Sequence, residues 1–272
     1  MNAGPSFDVA AVEAGLAGTE FAGRVMHFAE VGSTNALALQ AAQSGARGGV
    51  WVADEQTAGR GRGGHQWHSV AGEGLYVSAL VTPPLPMMRA LWISLATGLA
   101  AKSAIAETTG LDVDIRWPND LMVDGRKCGG ILVETAADSA GNKSAMLRYA
   151  VIGVGINLNH EEFPVELQAL ATSLRIASGR PVERESLLAA LLRALDSEIR
   201  LLMRSYTSTH DGMGLLERFA DASSWVKGKR VRVDEAGGYT GVTDGLDPRG
   251  FLRVAGDDGI ERTVLSGGVR EI

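Results

Sequence analysis

Residues 113–137 read VDIRWPNDLMVDGRKCGGILVETAA, and this stretch sets the fold class of the chain. Two extended runs here predict antiparallel strands joined by a short connection: VDIRWPND at 113–120, and ILVETAA at 131–137 after the tight turn at Asp124-Gly125. A further run at 147–159, LRYAVIGVGINLN, is also apolar and extended in character. The middle of the chain therefore predicts an antiparallel sheet with short connections.

Strands and helices flank this segment in unequal runs. Extended patterns predict strands, and apolar residues at helical spacing predict helices. The predicted strands are RVMHFAEV at 24–31, GGVWVADEQ at 48–56 and LYVSALV at 75–81. The predicted helices are a short one capped by Ser33 or Thr34, one at 87–109, and one at 181–204. Unequal runs, rather than strict alternation, indicate an α+β fold with a mixed sheet and flanking helices.

The residue composition and the length of the predicted strands change after Trp225. Short strands separated by Gly, Asp and Pro follow, which is typical of a small β-barrel or sandwich. We therefore place one domain at 1–225 and a smaller β domain at 226–272.

Composition limits the classes of function. The chain has 272 residues and a net charge of -6, which disfavours generic binding to nucleic acid or to an anionic membrane. The single cysteine, Cys128, excludes an intramolecular disulfide and favours a reducing compartment. The start lacks the pattern of a secretory signal, so a cytoplasmic protein is expected. The five histidines show no metal-ligand spacing with Cys128, so no metal is expected to be held permanently by the protein.

Residues 56–67, QTAGRGRGGHQW, carry the strongest chemical signal. Glycines let successive backbone N–H groups turn toward one anion, and arginines add donors suited to phosphate or carboxylate. Such a segment can close over a ligand, with Trp67 anchoring its far end. An RNA-binding RGG segment and a solvated hairpin are the alternatives for this stretch alone.

Three further stretches supply candidate polar groups. WPND can present Asn119 and Asp120 at a strand edge, although the same letters also form plain turns. Lys127 precedes Gly129-Gly130, where backbone can approach a ligand closely. STN at 33–35 is first a helix cap, and its polar groups could also hold a ureido or carboxylate group. GVGINLN at 153–159 is a buried strand running into a turn, and its asparagines are expected to be structural.

Taken in order, STN, GRGR with a following Trp, WPND, K-x-GG-I-L-V-E and G-x-G-I-N resemble the biotin–protein ligases (biotin–[acetyl-CoA-carboxylase] ligases) from about residue 24 onward. The resemblance implies a catalytic domain followed by a small SH3-like β-barrel. It implies that biotin and Mg-ATP form biotinyl-5′-adenylate and pyrophosphate. A lysine on a biotin carboxyl carrier domain of an acyl-CoA carboxylase then takes the biotinyl group.

The resemblance also implies roles for individual residues. The expected catalytic residues are Arg62, Lys127 and Asp120. The expected biotin-binding residues are Ser33, Thr34, Asn35, Gln56, Arg60, Gly61, Arg62 and Lys127. The expected ATP- or adenylate-binding residues are Gly59, Arg60, Arg62, Trp67, Asn119, Lys127 and Asn157. Mg²⁺ is expected as a cofactor, and Asp120 is a candidate for contacting it or for orienting the attacking amine.

The chain departs from the family pattern in its loop. Gly63 and His65 stand where family members often carry arginine, so we expect looser retention of the adenylate. Residues 1–23 are too few for a three-helix DNA-binding unit, which indicates a ligase-only form that does not bind DNA. The resemblance suggests a homodimer. The alternatives are a lipoate–protein ligase of the same fold and a non-catalytic biotin sensor; the glycine–arginine run and WPND favour biotin.

Overall fold

The protein folds into two sheets flanked by helices. The computed structural model describes residues 7–138, 145–207, 213–235, 237–266 and 268–272. The first sheet has seven strands and the second has five. This arrangement confirms the predicted α+β class with a mixed sheet and flanking helices.

The first sheet contains the strands predicted on both sides of the WPND stretch. They are β1 (Val25–Val31), β2 (Gly49–Gln56), β3 (Gly74–Val81), β4 (Asp114–Arg116), β5 (Asp120–Val123), β6 (Arg126–Ala137) and β7 (Leu147–Asn157). Their spatial order is β1-β2-β3-β7-β6-β5-β4. Only β1 and β2 pair in parallel among these strands, and the remaining pairs are antiparallel. A parallel pair needs a crossover, and helix α2 (Thr34–Gln43) supplies it.

The stretch VDIRWPND was expected to form one strand, and that expectation is wrong. It forms β4 and β5, which pair with each other across a turn at Trp117–Asn119. Pro118 has no backbone N–H to give to a strand ladder, so the chain turns at this point. The turn places Asn119 and Asp120 at the start of β5.

Helices cover both faces of the first sheet. The remaining helices are α1 (Val9–Ala14), α3 (Ala90–Thr109), α4 (Leu174–Ser178), α5 (Arg184–Thr207) and α6 (Met213–Asp221). On one face α2 packs in a small cluster with Trp51, Leu80, Tyr149 and Val151. On the other face, the buried residues of α3 and α5 share the main hydrophobic core with Val50, Val77, Ile152 and Val154 of the sheet. No helix within the described ranges is long and apolar enough to cross a membrane.

The chain after Trp225 forms the predicted short strands. They are β8 (Lys227–Val233), β9 (Tyr239–Leu246), β10 (Leu252–Gly256), β11 (Glu261–Val264) and β12 (Val269–Glu271). Their order is β11-β10-β9-β8-β12, and every pair is antiparallel. The observed form is thus a five-stranded antiparallel sheet with β11 and β12 at its two ends.

The two sheets share one hydrophobic core. Val231 and Val254 of the second sheet belong to the same buried cluster as α3. Trp117 Nε1 donates a hydrogen bond to Gly250 O at 3.0 Å. Gly250 has φ +91°, and a Cβ there would lie 2.9 Å from Leu95 Cδ1, so only glycine fits this close approach.

Candidate active site

The beginning of α2 forms one end of a polar cleft. Ser33 occupies the N-cap position, but its side chain makes no capping hydrogen bond. Instead, Gln56 Oε1 accepts from the Thr34 backbone N at 2.9 Å and from Thr34 Oγ1 at 3.1 Å. The expectation that Ser33 or Thr34 caps the helix is therefore corrected. The cap comes from the end of β2, which ties Gln56 to the STN turn.

Asn35 is held in one orientation by partners on the sheet. Its Nδ2 donates to Glu134 Oε2 at 2.8 Å and to Leu132 O at 3.3 Å, and Ser78 Oγ lies 2.5 Å from its Oδ1. Gly153 lies directly beneath, because a Cβ there would be only 2.2 Å from Asn35 Oδ1. Asn35 is almost fully buried. The amide is thus fixed before any ligand arrives, as a binding group should be.

The glycine–arginine segment is a tight hairpin that closes on itself. Gly61 N donates to His65 O at 2.7 Å, and Trp67 N donates to Gly59 O at 3.0 Å. Gly63 has φ 66° within the 3₁₀ turn at Arg62–Gly64, a conformation that favours glycine. The backbone therefore forms a hairpin, as the solvated-hairpin alternative expected. The side chains of Arg60 and Arg62, however, line the cleft and are not fully solvated.

The two arginines contact different walls of the cleft. Arg60 Nη2 donates to Glu134 Oε2 at 3.1 Å. Arg62 Nη1 lies 3.5 Å from Asn119 Oδ1. Burial lowers the pKa of Arg62, while the carboxylates of Asp120 and Glu235 act in the opposite direction. A partly desolvated guanidinium is a strong anchor for an incoming anion.

Trp67 lies flat against the sheet where glycines leave room for it. A Cβ at Gly155 would lie 2.6 Å from Trp67 Cε2, and one at Gly130 would lie 3.0 Å from Cζ3. Lys127 Nζ is 5.5 Å from the ring centroid, within cation–π range. Trp67 Nε1 is buried without a hydrogen-bond partner among the described residues. The indole therefore anchors the hairpin, as predicted, and forms one wall of the cleft.

Asp120 organises the cationic wall opposite. Its Oδ1 lies 2.6 Å from Lys127 Nζ, and its Oδ2 accepts from Arg116 Nε and Nη2. Asn119 Nδ2 donates to Ile131 O at 3.0 Å, which fixes its side chain on β6. Both carboxylate oxygens of Asp120 are thus engaged by cations, so Asp120 positions Lys127 and Arg116.

Neither the metal-ligating residue types nor the cysteine form a separate site. Within the described ranges, no group of three His, Cys, Asp or Glu side chains is placed to hold a metal ion. Burial raises the pKa of the Cys128 thiol to about 12. A fully buried, protonated thiol packs as a small apolar group and is no nucleophile.

These elements enclose a cleft of about 460 Å³ that opens to solvent. All of the predicted biotin-binding residues line it, as do the predicted adenylate-binding residues Arg60, Arg62, Trp67, Asn119 and Lys127. Gly59, Asp120 and Asn157 are not part of the lining. Asn157 Nδ2 donates to Thr172 O at 3.1 Å and reaches Lys127 O at 3.5 Å, so its amide supports the backbone behind Lys127.

Apart from Gly130, where a close approach of the backbone to a ligand was expected, no role for the floor of the cleft was predicted from the sequence. The additional lining residues are Val77, Gly130, Ile131, Leu132, Gly153, Val154 and Gly155. Glu134, which joins Asn35 to Arg60, was also not singled out. The alternating glycines of GVG were the available signal: residues two apart share one face of a strand, and glycine there leaves space above the sheet.

The arrangement defines a class of site. One end presents fixed amide and hydroxyl groups, with Arg60 beside Asn35 through Glu134. The floor is apolar, and Arg62 and Lys127 line the cleft next to Asn119 and Asp120. Such a cleft binds a small molecule with a polar head and brings an anionic group among cations. The cations can screen the approach of two anions to each other.

Comparison with known proteins places this class within one family. A sequence model of the Biotin/lipoate A/B protein ligase family matches residues 28–157. The chain is 32% identical over 249 residues to the bifunctional ligase/repressor BirA of Bacillus subtilis, covering 90% of this chain and 73% of that protein. It is 33% identical over 248 residues to the biotin–[acetyl-CoA-carboxylase] ligase of Mycobacterium tuberculosis, covering 88% of this chain and 85% of that protein.

A solved structure agrees over almost the whole chain. The biotin protein ligase from Aquifex aeolicus, in complex with biotin and ATP, superposes with a TM-score of 0.75 at 26% identity, covering 92% of this chain and 100% of that one. The chain belongs to the biotin/lipoate protein ligase family, among relatives that are biotin–protein ligases.

Proposed function

We propose that the protein is an ATP-dependent biotin–protein ligase. It activates biotin as biotinyl-5′-adenylate and transfers the biotinyl group to a lysine of a biotin carboxyl carrier domain of an acyl-CoA carboxylase. One observation carries the proposal: a single cleft joins the polar Thr34–Asn35 end, with Arg60 beside it, to the cations Arg62 and Lys127. The relatives named above support the choice of biotin and ATP.

The polar end is suited to the head of biotin. Thr34, Asn35 and Gln56 offer fixed donors and acceptors for a ureido group, and their network holds them in place. The apolar floor, with Val77, Ile131 and others, suits a ring sulfur and an aliphatic chain. The carboxylate of biotin would then lie toward Arg62 and Lys127, the cationic part of the cleft lining.

The cationic end is suited to the first reaction step. An oxygen of the biotin carboxylate attacks the α-phosphorus of ATP, and the bond from that phosphorus to pyrophosphate breaks. Both reactants are anions, so their approach needs fixed positive charge in a site shielded from water. Arg62, partly buried above the cleft, and Lys127, held by Asp120, supply that charge from two sides.

The second step is acyl transfer. The acceptor lysine amine attacks the carbonyl carbon of the adenylate, the bond to AMP breaks, and the proton lost by the amine passes to solvent. Arg62 and Lys127 stabilise the departing phosphate. Because both oxygens of Asp120 are paired with cations, we assign it the positioning of Lys127 rather than proton removal from the amine.

Magnesium does not fit a protein-held site in this cleft. Asp120 is the acidic candidate, and its oxygens are already engaged by Lys127 and Arg116. Mg²⁺ commonly binds through substrate phosphates and water, so it would enter with ATP. Neither reaction step therefore depends on a metal ligand supplied by the protein.

The C-terminal strands are proposed to form a small SH3-like barrel domain, 226–272, that closes the ATP end. Glu235 supports this role, since its charge favours the cationic form of Arg62. Burial acts to raise the pKa of Glu235, but hydrogen bonds from Ser266 and Leu265 and the charge of Arg62 outweigh it, so the pKa is lowered. A homodimer remains an expectation of the resemblance, and a cytoplasmic setting remains an expectation from the sequence.

Pyrophosphate release tests the proposal. The protein is mixed with ATP and Mg²⁺, and biotin or lipoate is added without any carrier. We expect a biotin-dependent burst of about one equivalent per chain, because the adenylate stays bound. Release with lipoate instead would change the substrate, and biotin binding without release would leave a sensor.

A pair of arginine variants ties the burst to the cleft. Arg62→Ala is expected to slow the burst about 100-fold or more, as loss of a transition-state donor does. Arg148→Ala removes the same charge from an exposed position on β7 and should change the rate less than twofold. Near-full activity in Arg62→Ala would contradict the mechanism.

A further inference from the structure

Glu134 lies where the floor of the cleft meets the glycine–arginine hairpin. Its Oε2 accepts from Asn35 Nδ2 at 2.8 Å and from Arg60 Nη2 at 3.1 Å. One carboxylate oxygen thus bridges a residue of the biotin end and a residue of the hairpin. We propose that Glu134 is a positioning residue that couples the two, an inference that rests on the proposed function.

The contact to Asn35 orients the amide. Both Nδ2 hydrogens are used, one by Glu134 and one by Leu132 O, and Oδ1 faces Ser78. A carboxylate can only accept, so it excludes the flipped amide, whose Oδ1 would face it. With both N–H groups of Asn35 engaged, Glu134 leaves Asn35 Oδ1, which has a second lone pair, as the atom that can accept from the substrate head.

The contact to Arg60 holds the hairpin against the sheet. Glu134 is the only carboxylate paired with Arg60 within the described ranges. The side chains are 46% and 28% exposed, so the ion pair is of moderate strength and a substrate anion can replace it. Glu134 thus holds the hairpin against the sheet until an anionic substrate group competes for Arg60.

Two substitutions separate these contacts. Glu134→Gln keeps an oxygen acceptor for Asn35 but removes the charge that holds Arg60. Glu134→Ala removes both. In the absence of ligand, we expect trypsin to cut after Arg62 about two- to fivefold faster in both variants, because the hairpin opens more often. Biotin affinity should stay within about twofold in Glu134→Gln and fall about fivefold or more in Glu134→Ala.

The partner substitution Arg60→Gln tests the coupling directly. If the two residues act as a pair, the double variant Arg60→Gln/Glu134→Gln should be cut after Arg62 at the rate of either single variant. Glu30→Gln removes a carboxylate from an exposed position on β1 and should be cut like the wild type. Biotin should slow the cut in every variant, since bound substrate closes the hairpin.

The outcomes are distinct. Unchanged cleavage in Glu134→Gln, or multiplied effects in the double variant, would overturn the role in holding the hairpin. Equal biotin affinity in Glu134→Ala and Glu134→Gln would overturn the role in orienting Asn35. Absence of biotin-dependent pyrophosphate release in the wild type would instead overturn the proposed function, and the cleavage rates without ligand would still decide the Glu134–Arg60 coupling.

Discussion

An alanine at Gly155 would push the indole of Trp67 off the sheet. The new Cβ would lie 2.6 Å from Cε2 and 2.9 Å from Nε1 of the ring. Carbon atoms pack at about 3.5–4.0 Å, so the ring must retreat by about 1 Å. Overpacking of this kind costs about 1–3 kcal/mol.

We expect this energetic cost to destabilise the closed conformation of the hairpin over the cleft. Trp67 belongs to a hairpin at the surface, which can swing outward while the sheet stays intact. A penalty of about 1–3 kcal/mol on the closed state corresponds to about 5- to 150-fold weaker binding of a ligand that needs it. The midpoint of thermal unfolding should change little, since the core strands are not disturbed.

Calorimetric titration of biotin and the pyrophosphate burst measure this effect. Gly98→Ala is the matched control, since its Cβ would meet Ile115 and Phe219 at an ordinary 3.5 Å. In a Trp67→Ala background the clash is gone, so Gly155→Ala should then cost less than about twofold. Biotin affinity within twofold of the wild type in Gly155→Ala alone would refute the reasoning, as would an equal loss in both backgrounds.

Three further changes test other parts of the structure. Asn157→Ala should lower the free energy of unfolding by about 1–3 kcal/mol in urea titrations, because buried carbonyl groups lose their donor. The KM for ATP, measured from initial rates, should rise far less in this variant than in Arg62→Ala. Burial lowers the pKa of His160 from 6.5 to about 4, so below pH 6.5 this side chain takes up a proton in the unfolded chain but not in the folded one. The free energy of unfolding should therefore fall by about 2 kcal/mol between pH 7 and pH 5, as measured by urea titration. The same loss should be absent from His160→Gln. The backbone at His65 has a φ of −66°, which any residue adopts, so His65→Arg adds a charge without strain. This variant should slow adenylate loss about two- to fivefold in a filter-binding assay. Gly63 has a φ of 66°, which is unfavourable for arginine, so the same addition there would strain the hairpin.

The strands were largely predictable from local pattern. Apolar runs and the Asp124-Gly125 turn predicted β6 and β7, and the family resemblance predicted that the glycine–arginine hairpin and Lys127 share one site. The run containing β4 was expected to continue through Pro118 to Asp120 as one strand, because the extended pattern continues there. Local pattern cannot say whether such a run continues straight or folds back.

Contacts between distant residues were the part that sequence could not supply. Gln56 caps α2 from 22 positions away, and Glu134 reaches Asn35 across 99 positions. Both contacts depend on the register of the sheet, which no short window contains. Glycine is needed at Gly153 and Gly155 because the side chains of Asn35 and Trp67 lie directly above them, and only the folded structure shows this contact.

The hydrogen bond from Trp117 to Gly250 has a mechanical consequence. Trp117 begins the turn that ends at Asp120, and Gly250 lies in the loop before β10, pressed against Leu95. A displacement of the second sheet is therefore transmitted, through one short turn, to the carboxylate that holds Lys127. We therefore expect a tilt of the C-terminal strands to shift Asp120 and, with it, the position of Lys127 in the cleft.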